Sequence, residues 1–176
     1  MSTTTSTSSK PAERTRITLE RVFDGSIEDV WELWTTAEGI EAWWGPEGFE
    51  VKVRQLDLRP GGELLYAMIA VADEMVAFMK RAGMPTVTET RIRYVEIVPH
   101  VRLAYTNLVD FVPGTKAYDV GTVVELFPQG GKVRLVLRLD PMHAEEWNQR
   151  MVAGWEQELG KLDKVLASRR HSNVVK

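Results

Sequence analysis

The chain has 176 residues, 44% of them hydrophobic, which is enough for one domain with a single core. It contains no cysteine, which excludes disulfides, thiolate metal sites and cysteine nucleophiles and fits a reducing compartment. The 22 basic and 25 acidic residues are interspersed and give a net charge of −3, without the basic patch that nucleic acid or an anionic membrane requires. No apolar run approaches the roughly 20 residues that span a bilayer, and the N-terminus lacks a secretory signal, so we expect a cytoplasmic protein.

The first part of the chain predicts a tail, a strand and two short helices. Residues 1–15 are rich in Ser and Thr and too poor in apolar groups to offset the entropy of ordering, which predicts a disordered tail. A strand is predicted from Arg16 to Phe23, followed by a turn whose Ser26 caps a helix. A second helix is predicted over Ala37–Trp43, ending before a Gly-Pro step.

The next segment predicts a bulged strand and a partner strand. Apolar and polar residues alternate from Phe49 to Leu58, but the alternation changes phase near Gln55, which indicates a bulge or bend there. A Pro-Gly-Gly turn follows. The following strand then places three residues on one face, which we expect to point inward: Leu64, Tyr66 and Met68.

Residues 71–82 depart from the strand period. Met75, Phe78, Met79 and Ala82 recur at helical spacing, and Gly83 ends the segment, which predicts an inserted helix. Methionine adapts to varied apolar shapes, so this helix is interpreted either as a lid over a cavity mouth or as an ordinary amphipathic helix packed on the sheet.

The remainder predicts four strands and a long helix. The strands are expected at Thr86–Val98, Arg102–Val109, Tyr118–Phe127 and Lys132–Leu139, which completes an antiparallel meander of about six or seven strands. The last helix carries one apolar stripe: Trp147, Met151, Trp155, Leu159, Leu162 and Leu166. The fold class is therefore α+β, with one domain over residues 16–168 and a C-terminal tail over 169–176.

Several local motifs coincide in order and spacing along the chain. They are Val30-Trp31, Trp43-Trp44-Gly45-Pro46, Asp57-Leu58-Arg59-Pro60-Gly61-Gly62, Glu96-Ile97-Val98-Pro99, Arg102-Leu103-Ala104-Tyr105-Thr106 and Gly154-Trp155. From about Ile17 to Ala167 the chain resembles the START-like SRPBCC superfamily, and within it the family named after the C-terminal domain of the activator of heat-shock-protein-90 ATPase. The resemblance implies a helix-grip (Bet v 1-like) fold, in which a curved sheet and two short helices surround the long C-terminal helix, often around a hydrophobic cavity.

The resemblance leaves the function open, because related domains bind lipids, hormones or polyketides, cyclise aromatic precursors, sequester toxins or assist a chaperone. The segment from Val71 to Pro85 is longer and more helical than the family's usual loop, which would reshape any adjacent cavity mouth. The chain also has no room for the separate N-terminal domain of the eukaryotic chaperone activator, so a chaperone partner is disfavoured.

Common catalytic and metal-binding arrangements are not found. His100, His143 and His171 lie in a turn, at a helix start and in a tail, and only His143 has a nearby carboxylate, Glu146, so no metal site is predicted. No nucleophile elbow or phosphate-binding glycine loop occurs, and the Gly-Gly pairs lie between strands. We therefore predict no catalytic residue, no metal and no cofactor.

Some polar residues share the inward parity of the strands. Tyr105 and Asn107 lie on the face of Leu103 and would offer hydrogen bonds inside the cavity. Arg21 also has inward parity, and a buried guanidinium would need a partner such as Asp57, Glu96 or a ligand anion; an arginine that escapes at the strand end or forms a fixed ion pair is the alternative.

The leading hypothesis is binding of a small, largely hydrophobic molecule in an internal cavity, without turnover. The predicted ligand-contact residues are Trp44, Phe49, Leu64, Tyr66, Met68, Met75, Met79, Tyr105, Asn107, Met151 and Trp155. One rival is a cavity enzyme of cyclase or dehydratase type, with Glu96, Glu125 or Tyr105 as its inward acid or base. Another is a co-chaperone-like protein-interaction domain. A homodimer is compatible with all three, although no self-complementary patch is evident.

Overall fold

The computed structural model of the chain describes residues 15–110 and 112–174, so the predicted tail over residues 1–15 lies almost entirely outside the described residues. The described part contains seven strands and four helices. They are β1 Ile17–Asp24, α1 Ile27–Thr35, α2 Ala37–Trp43, β2 Phe49–Leu56, β3 Glu63–Ala70, α3 Asp73–Arg81, β4 Val87–Val98, β5 Arg102–Val109, β6 Tyr118–Gln129, β7 Lys132–Leu139 and α4 Glu145–Val174. In this part, no helix is both long enough and apolar enough to cross a membrane.

All seven strands form one antiparallel sheet in the order β1-β7-β6-β5-β4-β3-β2. The helices α1 and α2 carry the chain from β1 at one edge to β2 at the other, and the remaining strands then return in sequence order. The predicted meander and the bulge in β2 are both confirmed, because the β2–β3 register shifts between Val53 and Gln55.

The long helix α4 is held against the sheet mainly by its C-terminal half. Leu159, Leu162 and Leu166 are at most 2% exposed and belong to the main hydrophobic core. Trp147, at the other end of the predicted stripe, packs instead in a smaller cluster with Val120 and its neighbours. Residues of the stripe therefore pack in two separate apolar clusters.

The helix also extends further than predicted. It continues to Val174, through most of the region 169–176 that the sequence assigned to a tail. Arg169 lies 3.2 Å from a carboxylate oxygen of Glu32, and Arg170 lies 3.4 Å from one of Asp24. These ion pairs connect the last turns to α1 and to the end of β1, where a pattern of apolar residues gives no signal.

The corner formed by α1 and α2 is tightly built. Ser26 caps α1 by accepting a hydrogen bond from the Asp29 amide, and Thr36 caps α2 by accepting one from Gly39. The Trp43 indole donates to the Leu33 carbonyl at 2.8 Å. This corner fixes the end of α2 and thereby the position of the residue that follows it, Trp44.

The predicted inserted helix is confirmed as α3. In the segment that leads into α3, the amides of Val71 and Ala72 both donate to the Gly48 carbonyl. A Cβ on Gly48 would lie 3.4 Å from the Cβ atoms of Ala72 and Met75, so α3 packs on the loop between α2 and β2. Whether this helix acts as a lid stays a prediction.

Two helical glycines provide a matched test of the α1–α2 contact. A Cβ at Gly39 would lie 2.6 Å from the Glu32 carbonyl oxygen, whereas one at Gly154 would meet nothing within 4 Å. We expect Gly39→Ala to destabilise the fold by about 1 to 3 kcal/mol through overpacking. Gly154→Ala should stabilise it by roughly 0.5 to 1 kcal/mol through helix propensity.

Urea denaturation of the two variants and the unmodified protein measures both effects. A Gly39→Ala protein as stable as the Gly154→Ala protein would contradict the close α1–α2 contact.

Candidate functional site

None of the predicted ligand-contact residues is exposed. Five are buried, namely Trp44, Leu64, Tyr66, Met79 and Tyr105. Six are half-buried, namely Phe49, Met68, Met75, Asn107, Met151 and Trp155. Met75 and Met79 belong to α3 and lie outside the main core cluster, whereas Met68, Met151 and Trp155 pack against that cluster.

Aromatic rings form a continuous chain through this interior. We define the aromatic cluster by its members: Trp34, Trp43, Trp44, Tyr66, Tyr94, Tyr105 and Trp155. Trp155 of α4 stacks on Trp34 with the ring centres 5.8 Å apart, and Trp34 lies edge-on to Trp44 at 6.1 Å. Trp44 then meets Tyr66 at 5.5 Å and Tyr105 at 6.2 Å. Trp44 is therefore the point where α1, the sheet and α4 converge.

Several buried polar atoms in the cluster and beside it form no hydrogen bond of ordinary geometry among the described residues. They are the indole nitrogens of Trp34 and Trp44, the hydroxyls of Tyr94 and Tyr105, and the hydroxyl of Thr122. Tyr105 and Thr122 lie directly opposite each other on β5 and β6, and the Thr122 hydroxyl acts to lower the pKa of Tyr105, so the two hydroxyls are near each other. Tyr94 is only 1% exposed and Tyr105 only 2%, so solvent does not satisfy these groups. Unpaired buried polar groups are costly, and their concentration on one inner face marks it as a candidate binding surface.

A carboxyl group that the sequence analysis did not select completes the site. Glu158 of α4 is half-buried, and its Oε1 accepts a hydrogen bond from the Gly45 amide at 2.9 Å. Burial raises the pKa of Glu158 to about 7, although the Gly45 hydrogen bond and the Lys161 charge act in the opposite direction. Burial also raises the pKa of Tyr66 and Tyr105, and the Glu158 charge raises both further, so this carboxyl group lies near the two tyrosines.

The sequence did contain a signal for Glu158. It follows Met151 by seven residues and precedes Leu162 by four, so helical periodicity places it on the same stripe as these apolar residues. A carboxylate at such a position is a candidate functional group because ionised side chains are rarely buried without a partner.

The segment that follows α2 is attached to α4 beside this carboxyl group. Lys161 Nζ donates to the carbonyl oxygens of Trp44 and Gly45 at 3.3 and 2.9 Å, and the Glu47 amide donates to the side chain of Gln157 at 3.2 Å. Burial lowers the pKa of Lys161, opposed mainly by Glu158. The ammonium group therefore donates hydrogen bonds to backbone carbonyls and forms no ion pair with Glu158.

The two carboxylates proposed for a cavity enzyme point away from the interior. Glu125 pairs with Arg102 and Arg138, and Glu96 pairs with Arg102 at 3.0 Å, all on the outer sheet face. The β4–β5 register shifts between Tyr94 and Glu96, which turns Glu96 outward despite its apparent parity with Tyr94. The prediction of Glu96 and Glu125 as inward groups is wrong.

Arg21 has a different partner from those considered. Its Nη2 donates to Glu156 Oε2 at 2.6 Å, joining β1 to α4 at a half-exposed position. Asp57 instead holds Arg59, its neighbour in the same turn. Arg21 therefore forms a fixed ion pair at the boundary of the core, and its guanidinium group is not available as a binding site for a ligand anion.

The histidines lie apart from the aromatic cluster. His143 Nδ1 lies 2.6 Å from the Tyr118 hydroxyl, His171 contacts the Ala167 carbonyl, and the His100 ring lies 5.9 Å from that of Trp31. No group of three or more potential metal ligands occurs among the residues that the structure describes. A recess of about 430 Å³ lies beside His143, and another of about 260 Å³ lies beside Arg169, but neither is lined by a predicted ligand-contact residue.

A seven-stranded antiparallel sheet that holds a long C-terminal helix, with two short helices after the first strand, defines a helix-grip protein. The family model described as Activator of Hsp90 ATPase homolog 1-like protein matches residues 24–167. The chain therefore belongs to this family of the START-like SRPBCC superfamily. No curated protein matches the chain.

Solved structures share this fold over most of their length. A protein from Chromobacterium violaceum is 25% identical, with a TM-score of 0.66, and the match covers 86% of this chain and 97% of that one. The AHSA1 protein from Silicibacter pomeroyi is 22% identical, with a TM-score of 0.68 and coverage of 88% and 99%. A protein from Arthrobacter aurescens is 20% identical, with a TM-score of 0.70 and 90% coverage of each chain.

The raised pKa of Glu158 predicts a specific dependence of stability on pH. Because the folded-state pKa of about 7 exceeds the ordinary value of 4.5, the contribution of Glu158 to stability is greatest below pH 4.5 and is lost as pH rises through 7. Glu158→Gln retains an acceptor for Gly45 without a charge. We expect this variant to gain about 1 to 3 kcal/mol relative to the unmodified protein between pH 5 and pH 8, since one pKa unit corresponds to about 1.4 kcal/mol.

The free energy of unfolding, measured with urea at several pH values, tests this expectation. Glu156→Gln, which removes a carboxylate two residues away on the same helix, is the matched control and should show no such gain. Parallel pH profiles for Glu158→Gln and the unmodified protein would contradict the assignment.

Proposed function

We propose that this protein binds a small, largely hydrophobic molecule between the inner face of the sheet and α4. The observation that carries the proposal is the set of buried hydroxyl and indole groups that form no hydrogen bond of ordinary geometry, among them the Tyr105 hydroxyl. A ligand that presents oxygen atoms to these donors would satisfy them, while its apolar body would contact the surrounding rings. Helix-grip proteins of several families use the corresponding interior for ligands.

The half-buried residues indicate where such a molecule would enter. Met151 and Trp155 lie on the N-terminal half of α4, and Met68 and Asn107 are half-buried residues of β3 and β5. By contrast, the C-terminal half of α4 is closed by fully buried leucines. Opening the N-terminal half would therefore expose the aromatic cluster without disrupting the main attachment of the helix.

A cavity enzyme is the second candidate, and Glu158 favours it. This carboxyl group lies near Tyr66 and Tyr105, and burial raises its pKa to about 7, which suits an acid–base group. The candidate base therefore lies on α4 and not on the strands, where the sequence predicts it. Binding is the prerequisite for either function, and so binding is what the first experiments measure.

Native mass spectrometry of the freshly purified protein, compared with a denaturing spectrum, tests the proposal. We expect an additional noncovalent mass of a few hundred daltons that disappears on unfolding, because the orphaned donors favour retention of a ligand acquired during expression. A mass equal to that of the bare chain, together with no binding of the apolar probe described next, would refute the proposed function.

Removal of the Tyr105 hydroxyl should separate binding from stability. Since a buried hydroxyl that forms no hydrogen bond of ordinary geometry costs about 1 to 3 kcal/mol, we expect Tyr105→Phe to leave the free energy of unfolding unchanged or to raise it by up to that amount. Its affinity for prodan, a neutral fluorescent naphthalene ketone whose carbonyl accepts hydrogen bonds, should fall by roughly 5- to 10-fold, the equivalent of one hydrogen bond.

Tyr118→Phe is the matched control for this experiment. The Tyr118 hydroxyl contacts His143 Nδ1 at 2.6 Å and accepts from the His143 amide at 3.2 Å, so its removal should cost about 1 kcal/mol of stability and leave prodan affinity unchanged. If the two variants lose the same affinity, the hydroxyl of Tyr105 does not contact the ligand.

A further inference from the structure

The Glu158 carboxylate is incompletely compensated. Gly45 is the one described residue that donates a hydrogen bond to it, through Oε1, and no described residue donates to Oε2 or forms an ion pair with it. Ionised carboxylates in such surroundings are stabilised by an opposite charge or by further N–H donors. The free oxygen therefore has an unused capacity to accept hydrogen bonds.

The neighbouring groups do not fill this capacity. From α4, Lys161 lies one turn away but directs its ammonium group to the carbonyls of Trp44 and Gly45. From β3 and β5, Tyr66 and Tyr105 contact Trp44, the neighbour of Gly45, and the negative charge of Glu158 opposes their ionisation, so both phenols are neutral near pH 7. Glu47 of the loop after α2 and Glu50 of β2 act on Lys161 and add only negative charge.

The aromatic surroundings suit a cation as well. The ring centre of Trp44 lies 5.5 Å from that of Tyr66 and 6.2 Å from that of Tyr105. The faces of such rings attract ammonium groups. The same rings provide the apolar area that would bind the rest of the ligand. An acidic ligand, in contrast, would be repelled by Glu158.

We propose that the interior site selects an apolar molecule that carries a basic nitrogen, whose N–H group pairs with the free carboxylate oxygen of Glu158 among the rings of Trp44, Tyr66 and Tyr105. This inference rests on the proposed function and adds the chemical class of the ligand. The selecting group is the carboxylate, and the buried hydroxyls then bind any oxygen atoms that the molecule carries.

Three naphthalene probes of equal shape test the proposal by isothermal titration calorimetry at pH 8. 2-Naphthylmethylamine is a cation, 2-naphthylmethanol is its neutral counterpart, and 2-naphthoate is an anion. We expect the amine to bind at least about 10-fold more tightly than the alcohol, as a charge-assisted hydrogen bond predicts, and the naphthoate more weakly than either. At pH 6, where Glu158 is largely protonated, the preference for the amine should shrink.

Two variants identify the source of the preference. Glu158→Gln retains an acceptor for Gly45 but has no charge, and it should bind the amine and the alcohol with equal affinity at both pH values. Glu156→Gln removes a carboxylate that pairs with Arg21 outside the site, and it should retain the full preference. If Glu158→Gln does not fold, the pH dependence of the unmodified protein still measures the effect of this carboxylate.

The outcomes separate this inference from the function on which it rests. Equal affinity of the unmodified protein for the amine and the alcohol would overturn the selection of a basic nitrogen, while the binding of both would support the proposed function. A preference that persists in Glu158→Gln would also overturn it, because the selecting charge would lie elsewhere. Failure of all three probes and of prodan to bind would count against the interior site itself.

Discussion

The structure depends on the burial of one side of α4 against the sheet and the α1–α2 corner. Leu159, Leu162 and Leu166 lose nearly all solvent contact, and each contributes about 1.5 to 3 kcal/mol through the hydrophobic effect. Ion pairs also join α4 to β1, through Arg21–Glu156, and to α1, through Arg169–Glu32. Because these charges are exposed, they add little to the stability of the fold. The apolar stripe therefore sets the position of the helix, and the charges refine its orientation.

Fixing α4 by its C-terminal half has a consequence for the interior. The helix presents Trp155 to Trp34 and places Glu158 beside the Gly45 amide, so the segment after α2 must lie against the helix as well. Lys161 holds that segment by its carbonyl groups. Trp44 is consequently restrained from three sides, and the polar atoms around it are excluded from water without obtaining partners. The same packing that stabilises the core produces the unsatisfied inner face.

The period and phase of the apolar residues along the chain are sufficient to predict most of the fold. The spacing on α4, the phase change near Gln55 and the helical period within residues 71–82 each correspond to an observed element. Parity failed where a bulge intervened, since the shift before Glu96 reverses its direction. Ion-pair partners were also inaccessible, because Arg21 and Glu156 are distant in sequence and meet only through tertiary packing. Glu158 was missed because a stripe defined by apolar residues alone omits a carboxylate on the same face.

The two halves of α4 have different physical roles. Its C-terminal half contributes aliphatic side chains that are almost fully buried in the tightly packed core. Its N-terminal half contributes Met151 and Trp155, which keep partial exposure, and a smaller cluster separates Trp147 from the main core. A local opening costs less where fewer apolar contacts must be broken, so it would occur in the N-terminal half. Glu158 lies at the junction of the two halves, where a ligand could reach a charged group while the leucines beyond it keep the helix attached.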